Sequence, residues 1–262
     1  MTPRLFGSRG HTLLEMTIAL ALGILIVSAS LALYRAQRVA FERATDAARI
    51  HDAGSIALDM LGQQIQMAGF ASNLGPAVDA PIFGCAQGRV VGADTAASCE
   101  ALASRSDGLQ IRYFADVVSS WASSGGVPTD CIGQTVSDAF VTNRFYAKPG
   151  SSSGEPELYC EGGGRQVQPV VEGIERFRMM YWLTGSSSAL DASAVARERW
   201  RDAYAADICV LVRGFATQTK RRTNYVDCSG APAFADDGRA RQTFWRRVAI
   251  RNASASAFGD AR

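Results

Sequence analysis

Histidine is nearly absent from this chain of 262 residues, which contains only His11 and His51. Everything beyond residue 51 therefore lacks an imidazole, the usual base for a serine nucleophile and a common zinc ligand. The sequence Gly150-Ser151-Ser152-Ser153-Gly154 has the spacing of a hydrolase nucleophile motif. It lies in a serine-rich run instead of a strand-to-helix turn, and no base can serve Ser152. The sequence predicts neither an enzyme nor a bound cofactor.

Excess charge is also absent once the first ten residues are set aside. The formal net charge is +2, and Arg4 and Arg9 supply it, since no acidic residue lies among residues 1–10. A neutral remainder has no general attraction for nucleic acid or anionic surfaces. We interpret the basic run Lys220-Arg221-Arg222, near Tyr225, as a solvated loop, which argues against a nucleic-acid partner. Asp236-Asp237-Gly238 lacks the ligand spacing of an EF-hand and is interpreted as a turn, so no metal site is predicted.

Residues 16–33 carry no charge, and no proline occurs between Pro3 and Pro76. As a helix the uncharged run would reach roughly 27 Å, close to the thickness of the hydrocarbon core of a bilayer. Arg4 and Arg9 precede it, and the positive-inside preference places them in the cytoplasm. We expect one membrane span with the rest of the chain outside, in the periplasm.

The periodicity of apolar residues predicts an α+β fold. Apolar and small residues recur at helical spacing from Ile50 to Ala68, so one helix is expected from Thr12 to about Ala68. Beyond Gly69, the runs at 109–113, 141–147, 174–183 and 208–215 predict strands of an antiparallel sheet packed on this helix. The expected organisation is residues 1–10 as a leader, 11–70 as the long helix and 71–262 as a β-rich periplasmic domain.

Six cysteines lie beyond the apolar run, and no two of them form a C-x-x-C pair. An even number of exported cysteines favours disulfides formed in an oxidising compartment over a zinc site. Six cysteines allow fifteen pairings, and sequence cannot select among them. Sequential pairing is favoured, because each pair closes a short, loop-rich segment: Cys85 with Cys99, Cys131 with Cys160, and Cys209 with Cys228.

Gly10 precedes the helix, and Glu15 stands at its start. A charged side chain in a membrane-spanning helix costs about 2.5–3.5 kcal/mol, so a functional partner for Glu15 is expected. The pattern resembles the class III signal of type IV prepilins and type II secretion pseudopilins. That resemblance implies cleavage between Gly10 and His11 by a prepilin peptidase, N-methylation at His11, and an assembly contact by Glu15. The family usually has phenylalanine where this chain has His11.

Two other interpretations of the N-terminus compete with this one. An ordinary secretory signal would be cut after Ser28-Ala29-Ser30, a passable small-residue site that follows the basic residues. The second is a plain signal anchor. Neither interpretation needs the spacing of Gly10 and Glu15.

Short patches along the chain resemble PilW-type minor pilins. They lie at the end of the helix, at the first strand, near Cys160, at residues 170–175 and at residues 245–252. The resemblance implies a minor pilin of a type IV pilus that primes assembly at or near the tip. Its implied partners are other minor pilins, the major pilin and a PilY-type tip adhesin, with an inner-membrane stage before the pilus. A type II secretion pseudopilin is the alternative, and a DNA-binding competence pilin is a more distant one.

Overall fold

The computed structural model describes residues 12–71, 78, 81–116, 119–216 and 221–252. It divides the chain into two compact units, residues 1–46 and 47–262. One helix, α1, runs from Leu13 to Met67 and contributes to both. A long apolar N-terminal helix and a largely antiparallel β domain confirm the predicted α+β, pilin-like fold.

Among the described residues of the second unit, thirteen strands form two main sheets and two hairpins. The first sheet has the order β1-β4-β5-β6-β7, and the second has the order β13-β10-β8-β9. The pairs β2–β3 and β11–β12 form separate two-stranded hairpins. Every paired strand is antiparallel to its neighbour. The strands are β1 Ile82–Cys85, β2 Gly88–Ala93, β3 Ala96–Ala101, β4 Gly108–Phe114, β5 Phe140–Pro149, β6 Pro156–Glu161, β7 Val167–Glu172, β8 Ile174–Leu183, β9 Leu190–Asp191, β10 Ala203–Arg213, β11 Thr223–Val226, β12 Pro232–Ala235 and β13 Arg241–Ala249.

The apolar stripe on the second half of α1 forms the centre of the core, as the periodicity predicts. Its buried members are Ile50, Ala53, Gly54, Ala57, Leu58, Leu61, Gly62 and Ile65. One of the glycines, Gly54, allows β13 to approach closely. A Cβ at Gly54 would overlap the ring of Phe244, and one at Gly62 would touch Arg246 and Val248. The helix therefore packs on the face of the second sheet that Phe244 and Val248 share.

α1 ends in a glycine cap. Gly69 has φ +74°, the left-handed conformation that glycine adopts without a Cβ penalty. Its N–H donates to the carbonyl of Arg112, which fixes the helix end to β4. The side-chain amide of Asn252 donates to the carbonyls of Gln66 and Ala68, so the chain after β13 closes the same end.

Three disulfides join Cys85 to Cys99, Cys131 to Cys160 and Cys209 to Cys228. They are the three sequential pairs. The first lies where β1 meets the β2–β3 hairpin, and the second holds the loop before β5 against β6. The third ties the turn of the β11–β12 hairpin to β10. The second and third bridges each fasten an irregular segment to a strand, whereas the first joins β1 to β3.

Candidate functional site: the N-terminal segment and its supporting domain

Glu15 stands in the first turn of α1, where it forms a capping box with Thr12. The N–H of Thr12 donates to Oε2 of Glu15 at 2.9 Å, and the N–H of Glu15 donates to Oγ1 of Thr12 at 3.2 Å. This reciprocal pair satisfies two N–H groups that a helix start leaves without partners. The carboxylate also lies at the positive end of the helix dipole. Glu15 is thereby held against the start of its own helix.

Thr12 is the functional residue that sequence reasoning missed. The pattern Thr12-Leu13-Leu14-Glu15 is a capping-box sequence in front of an apolar run, so the signal was present. The processing residues Gly10 and His11 lie outside the described residues, and their roles stay predictions.

The apolar part of α1 is long enough to cross a membrane, and none of its most hydropathic stretch is buried inside the protein. Large side chains are exposed along it, including Leu13 at 84%, Leu25 at 64% and Leu33 at 60%. Fully burying one such side chain is worth about 1.5–3 kcal/mol. The segment fits a single membrane anchor.

The structure also places the residues of the rejected catalytic motif. Ser152 lies in the exposed turn between β5 and β6. The only histidine among the described residues, His51, is on α1, and its ring meets the edge of Phe244 at 5.8 Å. These described parts of the chain assemble no serine–histidine pair.

Within Asp236-Asp237-Gly238, the carboxylate of Asp237 is paired with an arginine. Asp237 accepts from both terminal nitrogens of Arg241 at 2.8 Å, and these hydrogen bonds hold the pKa of Asp237 well below its usual range. No group of three or more His, Cys, Asp or Glu side chains that could hold a metal occurs within the described ranges.

The basic run at 220–222 has an aromatic neighbour that the sequence analysis did not foresee. Lys220 lies outside the described residues. The guanidinium of Arg222 lies 3.6 Å from the ring centroid of Phe234. Strand pairing explains this contact, because β11 and β12 bring Asn224 opposite Phe234 although ten residues separate them.

A second charge cluster anchors the base of that hairpin. Glu155 accepts hydrogen bonds from Arg239 and Arg213, and Arg239 is the larger cause of a pKa of about 2 for this carboxyl. Arg241, which is 5% exposed, also pairs with Glu175. These pairs connect the chain before β6 to the end of β10 and to the chain before β13, and they connect the start of β8 to the start of β13, so their role is structural.

A protein-family model matches part of this chain. Residues 144–252 match the family model described as type IV pilus-assembly protein W, PilW. The predicted resemblance to PilW is confirmed. The match spans most of β5 and continues through β13, with Cys160, Cys209 and Cys228 inside it. No curated protein and no solved structure matches this chain. The PilW match supports a protein associated with the type IV pilus.

Proposed function

We propose that this protein is a minor pilin that helps to prime type IV pilus assembly and is located at or near the pilus tip. The observation that carries the proposal is the apolar half of α1, which the protein itself leaves uncovered. Such an apolar surface must be shielded from water both before and after pilus assembly. Lipid supplies it before assembly, and the packed helices of a filament supply it afterwards. The PilW match over residues 144–252 favours a pilus over a type II secretion pseudopilus.

Orientation and partners follow from this proposal. Arg4 and Arg9 stay in the cytoplasm, and the disulfide-bonded domain lies in the periplasm until the subunit is extracted. A prepilin peptidase cuts between Gly10 and His11, and His11 is then N-methylated. The subunit contacts other minor pilins, the major pilin and a PilY-type adhesin.

Glu15 is the proposed assembly contact. Cleavage after Gly10 places the new amine on His11 and makes Glu15 the fifth residue of the mature chain, with Thr12 of the capping box directly after the amine-bearing residue in sequence. In a filament core that excludes water, an unpaired carboxylate or amine costs several kcal/mol. Pairing Glu15 with the amine of its own or a neighbouring chain removes that cost.

The test is Glu15→Ala in a strain that lacks the native copy. We expect the variant to be inserted in the membrane, because an uncharged helix inserts more easily. We also expect it to be cut to a mature protein that begins at His11, yet to restore few pili. Glu42→Ala is the matched control, because Glu42 lies on the same helix and pairs only with the exposed Arg38 within the described chain.

Two results would contradict the proposal. Normal pilus numbers with Glu15→Ala would show that Glu15 is not an assembly contact. A mature N-terminus at Leu31, measured by mass spectrometry, would show that ordinary signal peptidase had cut after Ser30.

A further inference from the structure

The second sheet presents an outer face on the side opposite α1. Register sets this face, since residues directly opposite in neighbouring strands point to the same side. One row across β8, β10 and β13 consists of Met180, Asp207 and Arg247. The next row contains Trp245 on β13, while Phe244 and Val248 of the same strand point towards α1.

The β11–β12 hairpin covers one end of this outer face. The Cys209–Cys228 disulfide pins its turn to β10 in the row of Trp245. Five residues lie at the other end of the outer face or where that end meets the hairpin, and we call them the open patch: Trp182, Met180, Asp207, Arg247 and Trp245. Trp245 is 51% exposed, and the side chain of Arg247 is 61% exposed. No described segment of the chain covers these two side chains.

The open patch is held in one arrangement by Asp207. Its carboxylate accepts from Nε and Nη2 of Arg247 at 2.6 and 2.9 Å, and from Nε1 of Trp182 at 3.0 Å. The guanidinium of Arg247 also stacks 4.4 Å from the ring centroid of Trp182. Side chains that are already ordered lose little entropy when a partner binds.

Composition indicates that the partner is a protein. Tryptophan and arginine are the residues that most often dominate the binding energy of protein interfaces, and methionine is also enriched there. Solvated sheet faces are ordinarily polar, so two tryptophans and a methionine on one such face are unusual.

The hydrogen-bonding capacity of the open patch specifies the chemistry of that partner. Both oxygens of Asp207 accept hydrogen bonds, whereas Nη1 of Arg247 makes none with the described residues. The patch can therefore offer donors but few acceptors, which suits a carboxylate. Nucleic acid fits less well, because its binding depends on several basic contacts to phosphates, whereas the open patch has one arginine and residues 11–262 have no net charge.

We propose that the open patch docks a carboxylate-bearing, partly apolar surface of another pilus subunit. This inference rests on the proposed function. Arg247 binds the carboxylate, and Trp245 and Met180 pack against the apolar side chains beside it.

The experiment uses the full chain in piliated cells. A photo-crosslinking benzoylphenylalanine is placed at position 245, and in a control protein at position 121, because Trp121 is also exposed, at 83%, but lies outside the patch. Cross-linked peptides are identified by mass spectrometry. We expect position 245 to capture a pilus subunit through a peptide that contains Asp or Glu.

Charge at the patch is then removed with Arg247→Gln. We expect the cross-link yield at position 245 to fall about tenfold, which corresponds to about 1.4 kcal/mol of binding free energy. Arg247→Lys keeps the charge and should retain more of the yield. Arg89→Gln is the matched control, since Arg89 is a partly exposed arginine that is also paired with a carboxylate, Glu100, at 2.7 Å. Unchanged thermal unfolding of each variant shows that folding is intact.

Several results would overturn the inference. They are no product at position 245, equal yields from positions 245 and 121 on the same partner, or a yield that Arg247→Gln leaves unchanged. Capture of nucleic acid, lipid or a protein that is not a pilus subunit would also overturn it. If pilus number still depends on the protein in a deletion and complementation test, the proposed function survives any of these results.

Discussion

Asp107 connects the two main sheets, and removing its carboxylate should weaken that connection. The side chain is 1% exposed. Its Oδ1 accepts from the N–H of Gln87 at 2.9 Å, and its Oδ2 accepts from the N–H of Met179 on β8 at 2.8 Å. Its own N–H donates to the carbonyl of Phe177 at 2.9 Å. Asp107, which lies just before β4 of the first sheet, is therefore hydrogen-bonded to β8 of the second sheet.

The cost of Asp107→Ala can be worked from these contacts. Met179 is fully buried, so its N–H would lose its partner with no water to replace it, at about 1–3 kcal/mol. Gln87 is exposed and water can reach it, so that loss is nearer to about 0.5–1 kcal/mol. Burial raises the pKa of Asp107, which means that the buried carboxylate itself carries a desolvation cost that alanine would remove. We expect the free energy of unfolding to fall by about 2–3 kcal/mol.

Chemical denaturation of the full chain in detergent measures this loss. Asp107→Asn keeps one acceptor and should fall between alanine and the wild type. Asp59→Ala is the matched control, because Asp59 is 67% exposed and its ion pair with Arg246 should be worth about 0–1 kcal/mol. If Asp107→Ala costs no more than Asp59→Ala, the two sheets are not held together through this carboxylate.

Two further outcomes are expected. Gly54→Ala forces a Cβ into the ring of Phe244, so despite a gain in helix propensity of about 1 kcal/mol it should lower the free energy of unfolding by about 1–2 kcal/mol. Gly23→Ala meets nothing within 4 Å and should leave thermal unfolding of the domain unchanged. The pKa of Glu155 is lowered to about 2, from about 4.5, by its hydrogen bonds to Arg239 and Arg213. The stability that these bonds supply is complete above about pH 4.5 and is lost as the pH falls towards 2. Glu155→Gln should therefore flatten this part of an acid-unfolding curve. High salt should reduce the difference in stability between the variant and the wild type. If Glu155→Gln leaves the low-pH part of the unfolding curve unchanged, the hydrogen bonds of Glu155 do not supply this stability.

Local patterns were sufficient to predict α1 and several strands. The apolar stripe from Ile50 to Ala68 is buried as expected, and β8 spans the predicted residues 174–183. β10 begins earlier than predicted, at Ala203 instead of residue 208. Its first residues are mostly alanine, which has weak strand propensity, and pairing with β8 and β13 on both sides forms the strand there.

Contacts between distant parts of the chain were beyond the reach of sequence patterns. Asp59 on α1 pairs with Arg246 on β13, and Phe244 fits against Gly54, although about 190 residues separate each pair. Nothing local to either segment specifies the other. At the candidate site the situation differs, because the capping box of Thr12 and Glu15 is entirely local and could have been predicted.

The outer face of the second sheet shows why its role could not be inferred from hydrophobicity alone. A strand with one buried and one solvated face alternates apolar with polar residues, and that alternation identifies the buried face. In β13 both faces carry an aromatic residue and an arginine: Phe244 and Arg246 face α1, whereas Trp245 and Arg247 face outwards. The sequence pattern of β13 therefore does not identify which of its faces packs on the core. The helix covers Phe244, whereas Trp245 on the other face is 51% exposed. Departures of this kind from the expected pattern are concentrated at functional sites, and here the departure coincides with the arginine that Asp207 holds in place.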